Sequence, residues 1–458
     1  MSGLEGYLEA NRGRRLADYC EFLRFPSVGG MPAHDADTRA CAEWLAGRLR
    51  AIGLDGVELS ETGGHPIVYA EWLRAPGAPT VLVYGHYDVQ PVDPLEQWVK
   101  PPFDPRIEGG RIYARGAADD KGQVHLHLSA LEALLAVRGR LPLNVKVVFE
   151  GEEEGASEHL DAWLEANRER LAADLAVISD SGFFEGNRPA ITVGLRGVVT
   201  AEIHVYGPRL DLHSGSFGGT VENPLNALCA IVAALKGPDG RVLVPGFYDD
   251  VLPPTEGDRA ALAALPFDEE AYRASTGVPA LAGEAGWTVL ERRGARPTLD
   301  LNGIRGGFQG DGAKTIIPAD AHAKISCRLV PRQEPARVFE LLRDRILALA
   351  PPGVRVEVDR YQGGRPSLTP IDRPATRAAA AALRESFGVE PLYHREGGSI
   401  PVCASFESIL GLPVVLLGFT PPDDQAHAPN ESMDLDNYER GIRTVIRYWE
   451  LLAAGAEK

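Results

Sequence analysis

Four short aliphatic runs, at residues 80–84, 144–149, 175–179 and 414–418, are each bounded by turn residues and separated by helix-like stretches. Runs without polar alternation are buried on both faces, so they belong to a parallel or mixed sheet covered by helices. That sets the fold class as α/β. It also sets where chemistry is expected, because open α/β sheets bind and react in the crevice beyond the carboxyl ends of their strands. The residues just beyond each run therefore matter more than the run itself.

A chain of 458 residues exceeds the size at which a single core stops growing, and two domains are expected. Residues 16–52 read as mainly helical with an interruption at 25–30, and 119–137 as a long helix opening in an Asp-rich turn. Between 197 and 367 the texture changes: 198–205 and 323–330 alternate as half-buried strands, and 224–235 and 337–350 carry helical spacing. This stretch is expected to be an inserted α+β domain with one solvated sheet face. Within it, 246–310 is rich in Pro and Gly with weak periodicity and is expected to form irregular excursions. A helix at 375–387 and the run at 414 return the chain to the first domain. The expected division is 1–196 with 368–458, and 197–367.

A net charge of -17 disfavours nucleic acid and anionic membranes as partners. No apolar stretch approaches a membrane span, and residues 1–15 carry acids without an apolar core, so no secretory signal is expected there. Cys20, Cys41, Cys229, Cys327 and Cys403 show no C-x-x-C spacing. That argues against a disulfide framework and a thiolate zinc site, and makes a reducing cytoplasm the expected compartment.

Acids and imidazoles collect where the sheet would end. His86 and Asp88 come directly after the first run, two residues apart and so on one face, with Asp88 placed to orient the ring. Asp119 and Asp120 open the long helix; Glu152, Glu153 and Glu154 come after the second run, Asp180 after the third, and His427 lies on the loop after the fourth. Each alone has an ordinary alternative: a hydrogen-bonded pair, a helix N-cap, a solvated charged turn, a turn residue, a loop histidine. Together they give one crevice two imidazoles, several carboxylates and no thiolates, the ligand set of a hydrolytic zinc or a related Mn or Co ion. Three carboxylates straight after a buried strand repel one another unless cations compensate them. There are ligands for two ions, an arrangement that needs a bridging carboxylate and leaves a bridging water as nucleophile. Adjacent Glu153 and Glu154 fit a division in which one binds metal and the other handles the proton.

Gly85-His86-Tyr87-Asp88-Val89-Gln90-Pro91, then Arg115-Gly116-Ala117-Ala118-Asp119-Asp120-Lys121-Gly122, then Glu150 to Gly155 and Asp180 resemble the M20 family of dinuclear zinc metallopeptidases, especially its carnosinase-like dipeptidases. The resemblance covers nearly the whole chain in order and spacing. It implies a three-layer α/β/α catalytic domain with a mixed, mainly parallel sheet, plus an inserted α+β lid and dimerisation domain. It further implies that His86 and Asp180 hold one ion, Glu154 and His427 the other, and that Asp119 bridges both. Glu153 would be the general base, Asp88 the orienter of His86, and the peptide after Asp119 would be cis.

The insert carries matching motifs. Asp211-Leu212-His213-Ser214-Gly215-Ser216-Phe217-Gly218-Gly219 resembles the family's lid motif, whose histidine, here His213, reaches the active site of the partner subunit in a homodimer and stabilises the oxyanion. Read from residues alone, His213 is a turn histidine in a Gly- and Ser-rich loop. Arg328 resembles the residue that grips the substrate carboxylate, a task suited to the guanidinium fork, although a snorkelling strand arginine has the same texture. Ser399, in Gly397-Gly398-Ser399-Ile400-Pro401, resembles a donor to that carboxylate. Neither a G-x-S-x-G elbow nor a phosphate-binding G-x-x-x-x-G-K-[ST] loop is evident. The expected function is metal-dependent hydrolysis of the peptide bond of dipeptides or short peptides, a small-molecule substrate. A deacylase of N-acyl amino acids would use the same chemistry. A non-catalytic metal-binding protein on this fold is the third reading, although every expected ligand and base position is filled.

Overall fold

The computed structural model describes residues 2–398 and 400–456. The chain forms two compact units, one of Met1–Val193, Thr369–His394 and Ser405–Lys458, the other of Gly194–Leu368 and Arg395–Ala404. In the first, the four aliphatic runs are the strands Thr80–His86, Asn144–Glu150, Leu175–Ile178 and Val414–Leu416. They lie side by side in the order 144–150, 80–86, 175–178, 414–416, and each neighbouring pair is parallel. Antiparallel strands flank them, Asp55–Ser60 and Ile67–Trp72 on one side and Ala190–Leu195 on the other. The sheet is mixed with a parallel centre, and all four central strands run their carboxyl ends to one edge.

The helix Lys121–Arg138 packs against the strand Thr80–His86 and against helices Ser2–Ala10, Arg12–Leu23, Asp35–Ile52 and Leu435–Ala456. Every residue from Lys121 to Leu131 is buried, so this helix has no wet face over its first three turns. Apolar residues on all sides are what such a central helix requires. Its buried lysine is partnered within the core: Lys121 Nζ donates to the carbonyls of Phe22 and Phe25, at 3.3 and 2.7 Å. The helix starts at Lys121, not at Asp119, and the Asp119–Asp120 peptide ahead of it is cis.

The second unit is built on a four-stranded antiparallel sheet ordered Thr298–Gly306, Asp320–Leu329, Gly197–Tyr206, Arg355–Gly364. Helices Pro224–Ala233 and Pro335–Leu349, each with Pro in the first turn, set Leu228, Ile231, Val338, Leu342 and Ile346 in one core with Ile203, Val205, Ala323 and Ile325. Strand alternation sends Glu202, His204, His322 and Lys324 to the opposite face.

The expectation of irregular excursions over 246–310 is corrected by three short helices, Glu256–Ala263, Glu269–Thr276 and Val289–Gly294, and by the strand that begins at Thr298. Thr255 with Asp258 and Thr288 with Glu291 form reciprocal capping boxes, and Asp268 caps the middle helix. Helices of six to eight residues are too brief to display periodicity; their caps were the legible signal. Among the described residues no helix is long and apolar enough to cross a membrane.

Candidate active site

The strand Thr80–His86 ends in a buried imidazole whose two nitrogens have separate partners. His86 Nδ1 lies 3.1 Å from the carbonyl of Asp88 and so donates its proton there, which makes Nε2 the nitrogen that gives up its proton when a metal ion binds. Nε2 in turn faces Asp119 Oδ1 at 3.1 Å. The other oxygen of Asp119 faces the second histidine, with His427 Nε2 at 2.8 Å from Oδ2 and 3.4 Å from Glu154 Oε2. His427 adopts a left-handed backbone (φ 61°) on its loop, a conformation that non-glycine residues seldom take. Asp119 therefore presents one oxygen to each imidazole.

Two ligand groups result. His86, Asp119 and Asp180 bring one donor atom each within 4.8 Å of one another, and so do Asp119, Glu154 and His427. Asp180 arrives from the end of Leu175–Ile178, Glu154 from the turn after Asn144–Glu150, and His427 from the loop after Val414–Leu416. The donor chemistry fits a pair of divalent ions: each group offers one imidazole and two carboxylates, and Asp119 is common to both.

Asp88 does more than flank His86. It is fully buried, with Oδ1 3.4 Å from His86 Nδ1, and its carboxylate accepts the backbone N–H groups of Glu153 and Glu154 at 3.3 and 3.1 Å. One carboxylate thus fixes the histidine and the turn that carries both glutamates. Gly29 closes over it, since a Cβ there would meet Asp88 Oδ2 at 2.5 Å and the carbonyl of Gly151 at 2.7 Å.

The electrostatics show excess negative charge. Burial pushes Glu153 well above the usual carboxyl range; His86 opposes this, while Asp180, Glu154 and Asp119 add to it. Asp120, also buried, is likewise pushed up. For Asp119 burial acts upward, but hydrogen bonds from His427 and His86 win and hold it below its ordinary value. His427 is raised to about 10, mainly by Asp119 and then Glu154. Burial alone would depress His86, yet Asp119 and Asp88 raise it well above an ordinary imidazole. Protons sit where compensating cations belong.

Residues 82–451 match the family model described as Peptidase family M20/M25/M40. The chain belongs to this family. It is 34% identical over 446 residues to the Cys-Gly metallodipeptidase DUG1 of Candida albicans, spanning 93% of this chain and 92% of that protein. It is also 34% identical over 427 residues to the Beta-Ala-His dipeptidase of Homo sapiens, spanning 92% and 84%. Among solved structures, the M20 family metallo-carboxypeptidase Sso-CP2 from Sulfolobus solfataricus superposes with a TM-score of 0.85 at 34% identity, over 96% of this chain and 99% of that one. The protein is an M20 peptidase, a hydrolase of mixed α/β architecture.

In this M20 peptidase the sequence reading passed over Glu431. The residue is fully buried and accepts from Arg115 Nη1 at 2.7 Å and from the backbone N–H groups of Gly116, Ala118 and Asp119 at 2.9, 2.7 and 3.0 Å. Burial pushes its carboxyl up to about 7 while Arg115 pulls it back. A guanidinium and three N–H donors on two oxygens favour the ionised form. Glu431 thereby holds the loop that delivers Asp119. Gln90 was also missed; its Nε2 donates to Glu154 Oε2 at 2.6 Å.

His213 and Arg328 lie in the second unit of the M20 peptidase. His213 is exposed, and its Nδ1 accepts the N–H groups of Gly215 and Ser216 at 3.0 and 3.2 Å, so its proton sits on Nε2 and points outward as a donor. Arg328 is on the strand Asp320–Leu329, half-buried, next to a second arginine that sequence did not single out. Arg196 is lowered to about 10, first by burial and then by the charge of Arg328. Ser399 lies outside the described residues; the neighbouring carbonyls of Gly397 and Gly398 accept from Arg196, at 3.3 Å from Nε and 3.1 Å from the backbone N–H.

Proposed function

We propose that this M20 peptidase hydrolyses the peptide bond of dipeptides or short peptides ending in a free carboxylate, using two divalent ions of zinc type, with Mn2+ or Co2+ as the related alternatives. The observation that carries this reading is Asp119, whose two oxygens face His86 and His427 and tie the two ligand groups together. His86 and Asp180 would hold one ion, Glu154 and His427 the other, and Asp119 both. When bound, such ions polarise a carbonyl and bring the pKa of water from about 15.7 to about 7.

The chain's own residues then handle position and protons. Asp88 holds the His86 ring and the Glu153–Glu154 turn in register. Glu153 takes a proton from the attacking water at its carboxylate and returns it to the leaving amine; a carboxyl raised by desolvation suits both transfers. Arg328, backed by Arg196, together with Ser399 would grip the substrate carboxylate, since two half-buried guanidinium groups that feel each other's charge suit an anionic ligand. His213 of the partner subunit would donate from Nε2 to the developing oxyanion, a contact typically worth about 2.7–4 kcal/mol. That role makes the protein a homodimer, with 1–196 and 368–458 as the catalytic domain and 197–367 as the lid and dimerisation domain. Five cysteines that form no disulfide support a reducing cytoplasm as its compartment.

Glu153→Gln tests the mechanism. It should keep its metal while kcat falls about 10²–10⁴-fold, the usual contribution of a positioned acid–base group; near-normal turnover would overturn the assignment. The likeness to a metallo-carboxypeptidase favours a second reading, removal of a C-terminal residue from longer peptides. Dipeptides, tripeptides and N-acetyl amino acids assayed side by side separate peptidase length classes from a deacylase.

A further inference from the structure

On the sheet face opposite the helices of the second unit, His322 and His204 are direct cross-strand partners, and Glu202 lies two residues from His204 on the same strand face. The two imidazoles point Nδ1 to Nδ1 at 2.7 Å, with their rings at 81°. Their outer nitrogens both meet carboxylates: His322 Nε2 is 3.1 Å from Asp320 Oδ1, and His204 Nε2 is 3.2 Å from Asp359 Oδ2. The second contact is off the N–H axis and is electrostatic rather than a formed hydrogen bond. A carboxylate beside each Nε2 still favours the proton there, which turns both Nδ1 lone pairs toward one point. Two lone pairs so close need a cation between them, either a shared proton or a metal ion.

The third group decides between these. One donor atom each from Glu202, His204 and His322 lies within 4.8 Å of the others, and Glu202 and His322 are 5% and 8% exposed. The hydroxyl of Tyr361 donates to Glu202 and holds its carboxyl below the ordinary value, so it is an anion at neutral pH. A carboxylate would also steady a proton shared by the imidazoles, but a Glu202 oxygen within 4.8 Å of a donor atom on each histidine completes a three-donor set of the kind a metal ion takes. We propose that Glu202, His204 and His322 form a binding site for a divalent ion of zinc type, with Asp320 and Asp359 as the carboxylates that orient the two histidines. Two imidazoles and one carboxylate are a familiar zinc set, and such histidines habitually donate their other ring N–H to a carboxylate. A hollow of about 290 Å³ lined in part by Arg305, Asp320 and His322 adjoins one of the three ligands. None of the peptidase ligands takes part.

Zinc titration of the full chain, read by equilibrium dialysis and elemental analysis, tests the site. Wild type should hold one zinc ion more than His322→Gln or Glu202→Gln, with peptidase activity unchanged in both variants. Asp320→Asn, an exposed change, should weaken that ion's binding about 10–100-fold. Nitrogen-15 NMR of the histidine rings in the wild-type chain should show zinc displacing Nδ1 of His204 and His322 together, and this reading stands even if a variant fails to fold. Equal zinc stoichiometry in wild type and folded variants, or Nδ1 signals unmoved at saturating zinc, would show a proton-bridged imidazole pair only and overturn the proposal.

Discussion

Glu431 and Asp88 each join two sequence motifs through one carboxylate. Glu431 holds the loop from Arg115 to Asp119, and Asp88 holds His86 to the Glu153–Glu154 turn. Removing one partner of a buried ion pair strands the other charge, so Glu431→Ala should lower stability by about 3–5 kcal/mol, measurable by denaturant unfolding. A loss below about 1 kcal/mol, the range of exposed pairs, would mean Arg115 is not held as described. The sequence showed Asp88 because it stands two residues from a strand-end histidine. Glu431 stayed hidden because Asn430, Glu431 and Ser432 have the texture of a surface turn, and only the fold brings Arg115 to it across the chain.

At the scale of elements, the four parallel strands were legible because each is a short aliphatic run with no polar alternation, and their shared direction is what gathers His86, Glu154, Asp180 and His427 at one edge. The exact start of the helix at Lys121 was not legible, since Asp119 has the composition of an N-cap and its side chain instead faces two histidines. That helix also carries buried His125 and His127, both lowered to about 3 by burial. Between about 3 and the ordinary imidazole value of about 6.5, the unfolded chain binds protons that the folded chain refuses. Stability is therefore lost as pH falls through that window, at up to about 1.4 kcal/mol per pH unit for each histidine. Urea midpoints at pH 7 and pH 5 should converge in a His125→Asn/His127→Asn variant relative to wild type; identical pH slopes would contradict the assignment.

For the whole molecule, the arrangement of charge and the proposed dimer can each be tested. His427 holds a proton up to about 10 without metal, so metal binding at pH 7 must expel it. Affinity should rise with pH, and calorimetry in buffers of different ionisation heat should record proton release; the ion pair with Asp119 that the proton supports in the metal-free chain is lost as pH rises through about 10. The cross-subunit role of His213 is tested by mixing the inactive variants Glu153→Gln and His213→Ala. In random exchange half the dimers are mixed and one site in each is intact, so about one quarter of wild-type activity should return; no recovery would place His213 in its own subunit's site.

Zinc content on substitution of Asp119 bears most directly on the shared two-ion centre, because that carboxylate is the common member of both ligand groups. Under identical dialysis, Asp119→Ala should hold two ions fewer per chain than wild type, while His86→Ala and His427→Ala each hold one fewer. Loss of a single ion from Asp119→Ala, or of none, would contradict a centre in which two ions share it.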